Sequence, residues 1–199
     1  QVPELTGAKQ KVLSQTGSSY NVTYASRMVP AGQLLVKRAM DICGALVGCI
    51  FLALITVIFG PLIKLESPGA VFFAQNRVGK NGRIFKMYKF RSMYADAEER
   101  KKELMDQNEM SGFMFKMEND PRITKIGGFM RKTSLDEFPQ FLNILKGDMS
   151  LVGTRPPTLD EFAQYSPYHK KRLSSRPGLT GMWQVSGRSD IMILKKLFD

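Results

Sequence analysis

The sequence is short of the residues that most often do chemistry unaided. Its 199 residues include 2 cysteines and 1 histidine. Cys43 and Cys49 both lie inside an apolar run, so they offer neither a disulfide framework nor a metal-ligand spacing and read as small packing residues. His169 stands alone in YHKKR, with no second His or Cys at ligand spacing, which reads as a solvated surface histidine and not a zinc ligand. A His-based catalytic triad is excluded with it. Acidic residues are also few, 18 against 29 Lys and Arg, for a formal net charge of +11. Residues 64–199 hold 24 of the basic and 16 of the acidic residues, leaving +8 there and +3 in the first 63. Partners of the larger part are therefore expected to be anionic. The basic residues are not interleaved with stacking aromatics and no nucleic-acid motif occurs, so nucleic acid is not an expected partner.

Charge is wholly missing from residues 42–63, ICGALVGCIFLALITVIFGPLI, 22 residues that would reach roughly 33 Å as a helix. Such a segment belongs in a membrane. It starts beyond residue 40 and no small-residue cleavage site follows, so it is not a cleavable signal peptide. A single span is the default. A re-entrant hairpin would need a helix break near the middle, and Pro61 lies near the end, so the residues alone favour the span. Lys37 and Arg38 before the run and Lys64 after it barely choose an orientation, while the basic remainder favours the cytoplasmic side. Residues 1–36 are polar, rich in Ser, Gly and Thr, and lack a sustained helical period. They read as a linker or a strand-containing remnant of an upstream region, and the opening Gln suggests a fragment of a longer protein.

At this length, with 43% hydrophobic residues, the chain can build one domain with a real core. GAVFFAQNRVGKNGRIFKMYKFRSM alternates apolar and polar residues around Gly79-Lys80-Asn81-Gly82, a β-hairpin pattern, with Val71 and Phe73 on one strand and Phe85, Met87, Lys89 and Arg91 on the other. Tyr94 to Asn108 reads as an exposed helix with charges of both signs. Asn119-Asp120-Pro121-Arg122 marks a turn, followed by a helix ending or breaking near Gly127-Gly128. The fold class expected is α/β or α+β: a membrane helix or re-entrant helical hairpin over 37–65, then a small cytoplasmic domain over 66–199, with a β-hairpin and several short helices.

The most informative stretch is Lys125 to Pro157, KIGGFMRKTSLDEFPQFLNILKGDMSLVGTRPP. Ser134 and Glu137 have S-x-x-E capping-box spacing before Phe138, Phe141, Leu142, Ile144 and Leu145, with Pro139 in the first turn. A first helical turn carries unpaired N–H groups and the positive end of the helix dipole, which would keep Asp136 ionised and favour a nearby phosphate. A carboxylate there could attack phosphorus while its neighbour holds a metal ion. The structural alternative is that both acids only cap the helix, and spacing alone does not choose. Lys89 and Arg91, if they face this helix, add phosphate-binding charge.

The succession KRAMD, an apolar run, PGAVFFAQNRVGKNGRIFKMYKFRSM, DPRITKIGGFMRKTSLDEFPQFLNILKGDMSLVGTRP and RPGLTGMWQVSGRSD resembles the bacterial sugar transferases known as polyprenyl-phosphate phosphoglycosyl transferases, over about residues 37–190. The resemblance implies an enzyme of the cytoplasmic (inner) membrane, with its catalytic domain on the cytoplasmic face. Such an enzyme takes a sugar 1-phosphate from a UDP-sugar and places it on undecaprenyl phosphate, the start of capsule or exopolysaccharide assembly. It implies that Asp136 attacks the β-phosphate and releases UMP. Glu137 would bind Mg2+, and Lys89, Arg91, Arg155, Arg176 and Arg188 would hold phosphates or the nucleotide, Arg155 the firmest because it stands in LVGTRP. Phosphoryl chemistry between two anionic substrates needs charge neutralisation and positioning more than a strong base.

Two departures from the family pattern stand out. The proline usual near the middle of the membrane segment is replaced by Leu54-Ile55-Thr56, so the hairpin is expected by resemblance alone. The chain stops at Asp199 where relatives continue, which suggests a C-terminal truncation. Homo-oligomerisation and the identity of the sugar stay open. The competing class is a membrane-anchored basic module docking to acidic lipid or nucleic acid, which would leave TSLDEFPQ without a purpose.

Overall fold

The apolar run lies within the longest described element, and elements that follow it in sequence are laid along one side of it. The computed structural model describes residues 10–16, 19–24, 30–97, 99–100 and 120–181. These fall in two units, residues 1–39 and 40–199. In the first, strands β1 (Gln10–Thr16) and β2 (Ser19–Tyr24) pair antiparallel, from Gln10 opposite Tyr24 to Thr16 opposite Ser19, with an irregularity between Val12 and Ser14.

Helix α1 (Ala31–Glu66) is continuous over 36 residues, roughly 54 Å. It is long and apolar enough to cross a membrane by length and composition. No hairpin forms: nothing at Leu54-Ile55-Thr56 interrupts the backbone, and the Thr56 hydroxyl donates to the Leu52 carbonyl at 2.7 Å within the same helix. Asp41, Ala45, Gly48, Leu52, Gly60 and Ile63 are buried, a set with mostly helical i+3 and i+4 spacing. Leu46, Val47, Ile50, Leu54, Val57 and Ile58 are exposed, so α1 is apolar on both its covered and its uncovered faces. Small residues let the domain approach closely. A side chain on Gly48 would run into the Phe141 ring, and one on Gly44 would come 2.7 Å from Leu151 Cδ1.

Strands β3 (Phe72–Val78) and β4 (Ile84–Phe90) form the expected hairpin, with Phe72 opposite Phe90 and Val78 opposite Ile84. The turn tightens through a 3₁₀ segment at Lys80–Gly82 in which Asn81 takes φ 56° and Gly82 φ 80°, a left-handed geometry that these two residue types tolerate. Helix α2 (Lys125–Thr133) starts after the Asp120-Pro121-Arg122 turn, with Thr124 Oγ1 accepting from Gly127 N. It runs through Gly127-Gly128, where the sequence suggested an ending. A Cβ on Gly127 would run into the Ser92 carbonyl, so this glycine serves close crossing of the Ser92 backbone and not helix termination.

Ser134 takes φ 60° and its N–H caps α2 by bonding to the carbonyls of Arg131 and Met130. Leu135–Glu137 follows as a 3₁₀ turn, and helix α3 (Gln140–Lys146) begins only after Pro139. The expected Ser134–Glu137 capping box is therefore absent: Ser134 is spent ending the preceding helix, and its side chain makes no cap to the 3₁₀ turn. Short strand β5 (Ser150–Val152), helices α4 (Leu159–Ala163) and α5 (Pro167–Lys170), and strand β6 (Gly178–Thr180) complete the described elements, β5 and β6 pairing in parallel. A capping box does form at α4, between Thr158 and Glu161.

Two buried clusters hold the second unit together. Ala45 joins Phe85, Met87, Ile144 and Met149 in one; Leu52 and Ile63 join Phe90 and Met130 in the other. Each contains residues of α1. Among the polar contacts, buried Asp41 accepts from Ser150 Oγ and Leu151 N, both at 3.0 Å, and Asn143 bridges to β4 by donating to Lys86 O at 2.7 Å and accepting from Tyr88 N at 3.0 Å.

Candidate active site

The β3–β4 hairpin and the 3₁₀ turn meet at the Asp136-Glu137 pair. Along β4, Phe85 and Met87 point into the core, and period-2 alternation puts Lys89 on the same side. Asn143, one turn into α3, ties that helix to β4 and so sets the turn before it against the strand. Lys89 Nζ then lies 3.0 Å from Glu137 Oε1 and 3.7 Å from Asp136 Oδ2. Asp136 is buried, at 7% exposure, whereas the Glu137 side chain is 31% exposed.

Burial pushes the Asp136 carboxyl above the usual carboxylate range; Lys89 opposes this, Glu137 adds to it and Arg131 opposes it. The helix-dipole pull expected from the sequence is therefore not the dominant influence on this carboxyl. The residue sits in a short 3₁₀ turn, and loss of water outweighs the nearby cations. A partly desolvated carboxylate next to one ammonium is a competent attacking group for phosphorus, because little hydration has to be stripped from it.

A second cluster lies beside the first. Arg77 is buried and donates to Pro156 O at 3.1 Å and to Gln75 Oε1 at 2.7 and 3.1 Å, and its Nη1 lies 4.0 Å from Glu161 Oε2. Arg155 Nη1 lies 3.3 Å from Glu161 Oε1 and its side chain is 36% exposed. Burial, with Arg155 nearby, brings the Arg77 guanidinium down to about 10, against the pull of Glu161 and then of Glu137. It remains charged near neutral pH. Glu161 is held for this task by its capping box, accepting from Thr158 N at 2.8 Å.

Of the residues singled out in the sequence, Lys89, Asp136 and Glu137 are brought together. Arg155 belongs to the neighbouring cluster. Arg91 has its fork on the carbonyls of Pro68, at 2.8 Å, and Ser67, holding the turn after α1. Arg176 is exposed on the approach to β6, and Arg188 lies outside the described residues. Arg77, Arg131 and Asn143 were not singled out. Arg77 sits in an alternating strand where basic residues usually face water, and only its pairing with Pro156 and Glu161 marks it out.

Among the described residues no group of three or more His, Cys, Asp or Glu side chains is placed to hold a metal. Glu137, partly exposed beside Asp136, is a carboxylate of the kind that can hold Mg2+ together with substrate phosphates.

Residues 32–198 match the family model for bacterial sugar transferases. The chain is 54% identical over 178 residues to the galactosyl transferase CpsE of Streptococcus agalactiae, covering 89% of this chain and 39% of that protein. It is 41% identical over 161 residues to the exopolysaccharide production protein ExoY of Rhizobium meliloti, covering 79% and 71%. It is 43% identical over 166 residues to the undecaprenyl-phosphate galactose phosphotransferase of Salmonella typhimurium, covering 78% and 33%. The chain therefore spans well under half of two of these relatives and most of the third. With a match running from α1 to nearly the last residue, and so through the whole Lys89-Asp136-Glu137 arrangement, the chain belongs to the bacterial sugar transferase family.

Proposed function

We propose that this chain carries the catalytic part of an enzyme that transfers a sugar 1-phosphate from a UDP-sugar to undecaprenyl phosphate in exopolysaccharide or capsule synthesis. The observation that carries this reading is the buried Asp136 carboxylate with Lys89 at 3.7 Å. An Asp136 oxygen attacks the β-phosphorus, the bond to the bridging oxygen breaks, and UMP leaves with that oxygen. A phosphate oxygen of undecaprenyl phosphate then attacks the same phosphorus and releases the Asp136 carboxylate, giving the diphosphate-linked lipid sugar. Lys89 orients and neutralises the phosphoryl oxygens, and Arg155, half in solvent, is placed to meet the nucleotide phosphates. Glu137, with donor phosphates, would hold Mg2+, which supplies charge neutralisation at the phosphoryl group. The relatives' names, galactosyl transferase and undecaprenyl-phosphate galactose phosphotransferase, support the substrate classes.

The acceptor fits the same frame. An apolar groove of about 570 Å³, lined by Cys49, Leu52, Thr56, Pro61, Phe72 and Leu142 among others, offers its hydrocarbon chain a place beside α1. Because α1 is covered by the charged domain from Asp41 to Ile63, a perpendicular crossing would drag that domain into lipid at high cost. We therefore read α1 as embedded from the cytoplasmic side of the inner membrane, its uncovered stripe in lipid and both ends of residues 42–63 on that side. This reading keeps the sidedness expected for the hairpin with a continuous helix in its place.

The test is incubation of the membrane-embedded protein with a panel of UDP-sugars and Mg2+. UMP release and a hexose-phosphate adduct on the peptide holding Asp136 are expected, both lost in Asp136→Asn. Normal turnover by Asp136→Asn would end the covalent mechanism. For sidedness, single cysteines at positions 34 and 65, with Cys43 and Cys49 replaced, should label only from the cytoplasmic side.

A further inference from the structure

Glu66 is the last residue of α1, and its carboxylate leaves that helix to cap another. Oε1 accepts from Lys125 N at 2.6 Å and Oε2 from Ile126 N at 3.0 Å. These are the first two N–H groups of α2, which have no partner inside their own helix. The third, Gly127 N, goes to Thr124 Oγ1 at 2.9 Å. A side chain 59 residues away in sequence therefore completes the N-terminus of α2, with a negative charge at the positive end of the helix dipole.

What α2 does next gives this cap its meaning. It runs nine residues, Lys125 to Thr133, and stops at left-handed Ser134, and the 3₁₀ turn with Asp136 follows at once. Met130 of α2 is packed in the same buried cluster as Ile63, near the end of α1, and Phe90, next to Lys89. A short rigid helix held at both ends transmits any shift of its start to the turn at its finish. We infer that Glu66 is a positioning residue: through α2 it sets where Asp136 stands relative to Lys89, coupling the end of the membrane-embedded helix to the attacking carboxylate. Nothing in this coupling requires Glu66 to touch substrate. The inference rests on the proposed role of Asp136, yet one of its readouts does not.

The experiment uses the full chain in detergent or nanodiscs, comparing wild type with Glu66→Ala and Glu66→Gln. A displacement of about 1 Å at a reacting group can cost on the order of 100-fold, so kcat for UMP release should fall by at least about tenfold in Glu66→Ala while the donor KM stays within about threefold. Glu66→Gln keeps one acceptor oxygen and should recover most of that loss. Hydrogen exchange on the same variants, without substrate, should rise in residues 125–128 and also in 134–138, with β3 and β4 unchanged. If Glu66→Ala is poorly folded, the Gln variant carries the comparison, with smaller changes in the same two segments. Exchange confined to residues 125–128, or kcat per folded molecule equal to wild type, would overturn the inference. Absence of UMP release from wild type with every UDP-sugar would instead remove the proposed function and leave the exchange result standing.

Discussion

Lys89 Nζ stands 3.7 Å from Asp136 Oδ2 and is the cation that most opposes the upward push burial gives that carboxyl. An opposite charge at this range favours the ionised carboxylate. In Lys89→Met the acidic limb of the pH–rate profile for UMP release should therefore move up, on top of a lower maximal rate. A lower rate with an unmoved limb would mean that Lys89 acts on the substrate phosphates alone.

The raised Asp136 also has a stability signature. Its neutral form is favoured in the folded protein, so its contribution is most favourable below the ordinary aspartate range and is lost as pH rises through the raised folded value. Asp136→Asn should therefore melt higher than wild type at pH 7 to 8, with the difference shrinking toward zero near pH 4. Thermal melts of the two proteins across that range provide the check, and a mutant less stable at neutral pH than at pH 4, relative to wild type, would reverse the assignment.

Asp41 is 1% exposed and accepts two hydrogen bonds from β5. Asp41→Ala would leave the Ser150 hydroxyl and the Leu151 N–H without this acceptor, for a loss of about 2–4 kcal/mol. Asp41→Asn keeps an acceptor and the shape, and should cost about 1 kcal/mol. Denaturant titration in mild detergent distinguishes these, and equal losses would show that the charge, not the acceptor, matters.

Gly48 lies beneath the Phe141 ring, with no room for a Cβ. Gly48→Leu should lift α1 from α3 and destabilise by about 1–3 kcal/mol or more, whereas Ile50→Leu on the exposed stripe should be neutral. The same titration reads both.

Features carried by local pattern were legible in the sequence. The β3–β4 alternation, the hairpin turn at Gly79–Gly82, the apolar helix and the Asp136-Glu137 pair all came from short windows, and the family motifs singled out the last. What failed depended on partners far away in sequence. Two stretches carry the S/T-x-x-E spacing, at Ser134 and at Thr158; only the second forms a box, because Ser134 is taken by the end of α2. Gly127-Gly128 looked like a stop and proved to be a crossing point over Ser92. The Arg91 guanidinium also reaches outside its local window, to the Ser67 and Pro68 carbonyls 24 and 23 residues away. Arg77, which looked like an ordinary strand arginine, is buried against Pro156, 79 residues on.

Because Ala45 completes one buried cluster and Leu52 and Ile63 complete the other, α1 is a structural wall of the domain and not a detachable tether. Cutting the chain after residue 66 would open Phe85, Phe90, Met130 and Ile144 to water and remove the carboxylate that caps α2. A water-soluble catalytic fragment is thus not available from this architecture. On the embedding proposed for α1, the helix that completes both buried clusters is the same one that carries the exposed apolar stripe, so assembly of the Asp136 site and membrane association share one element.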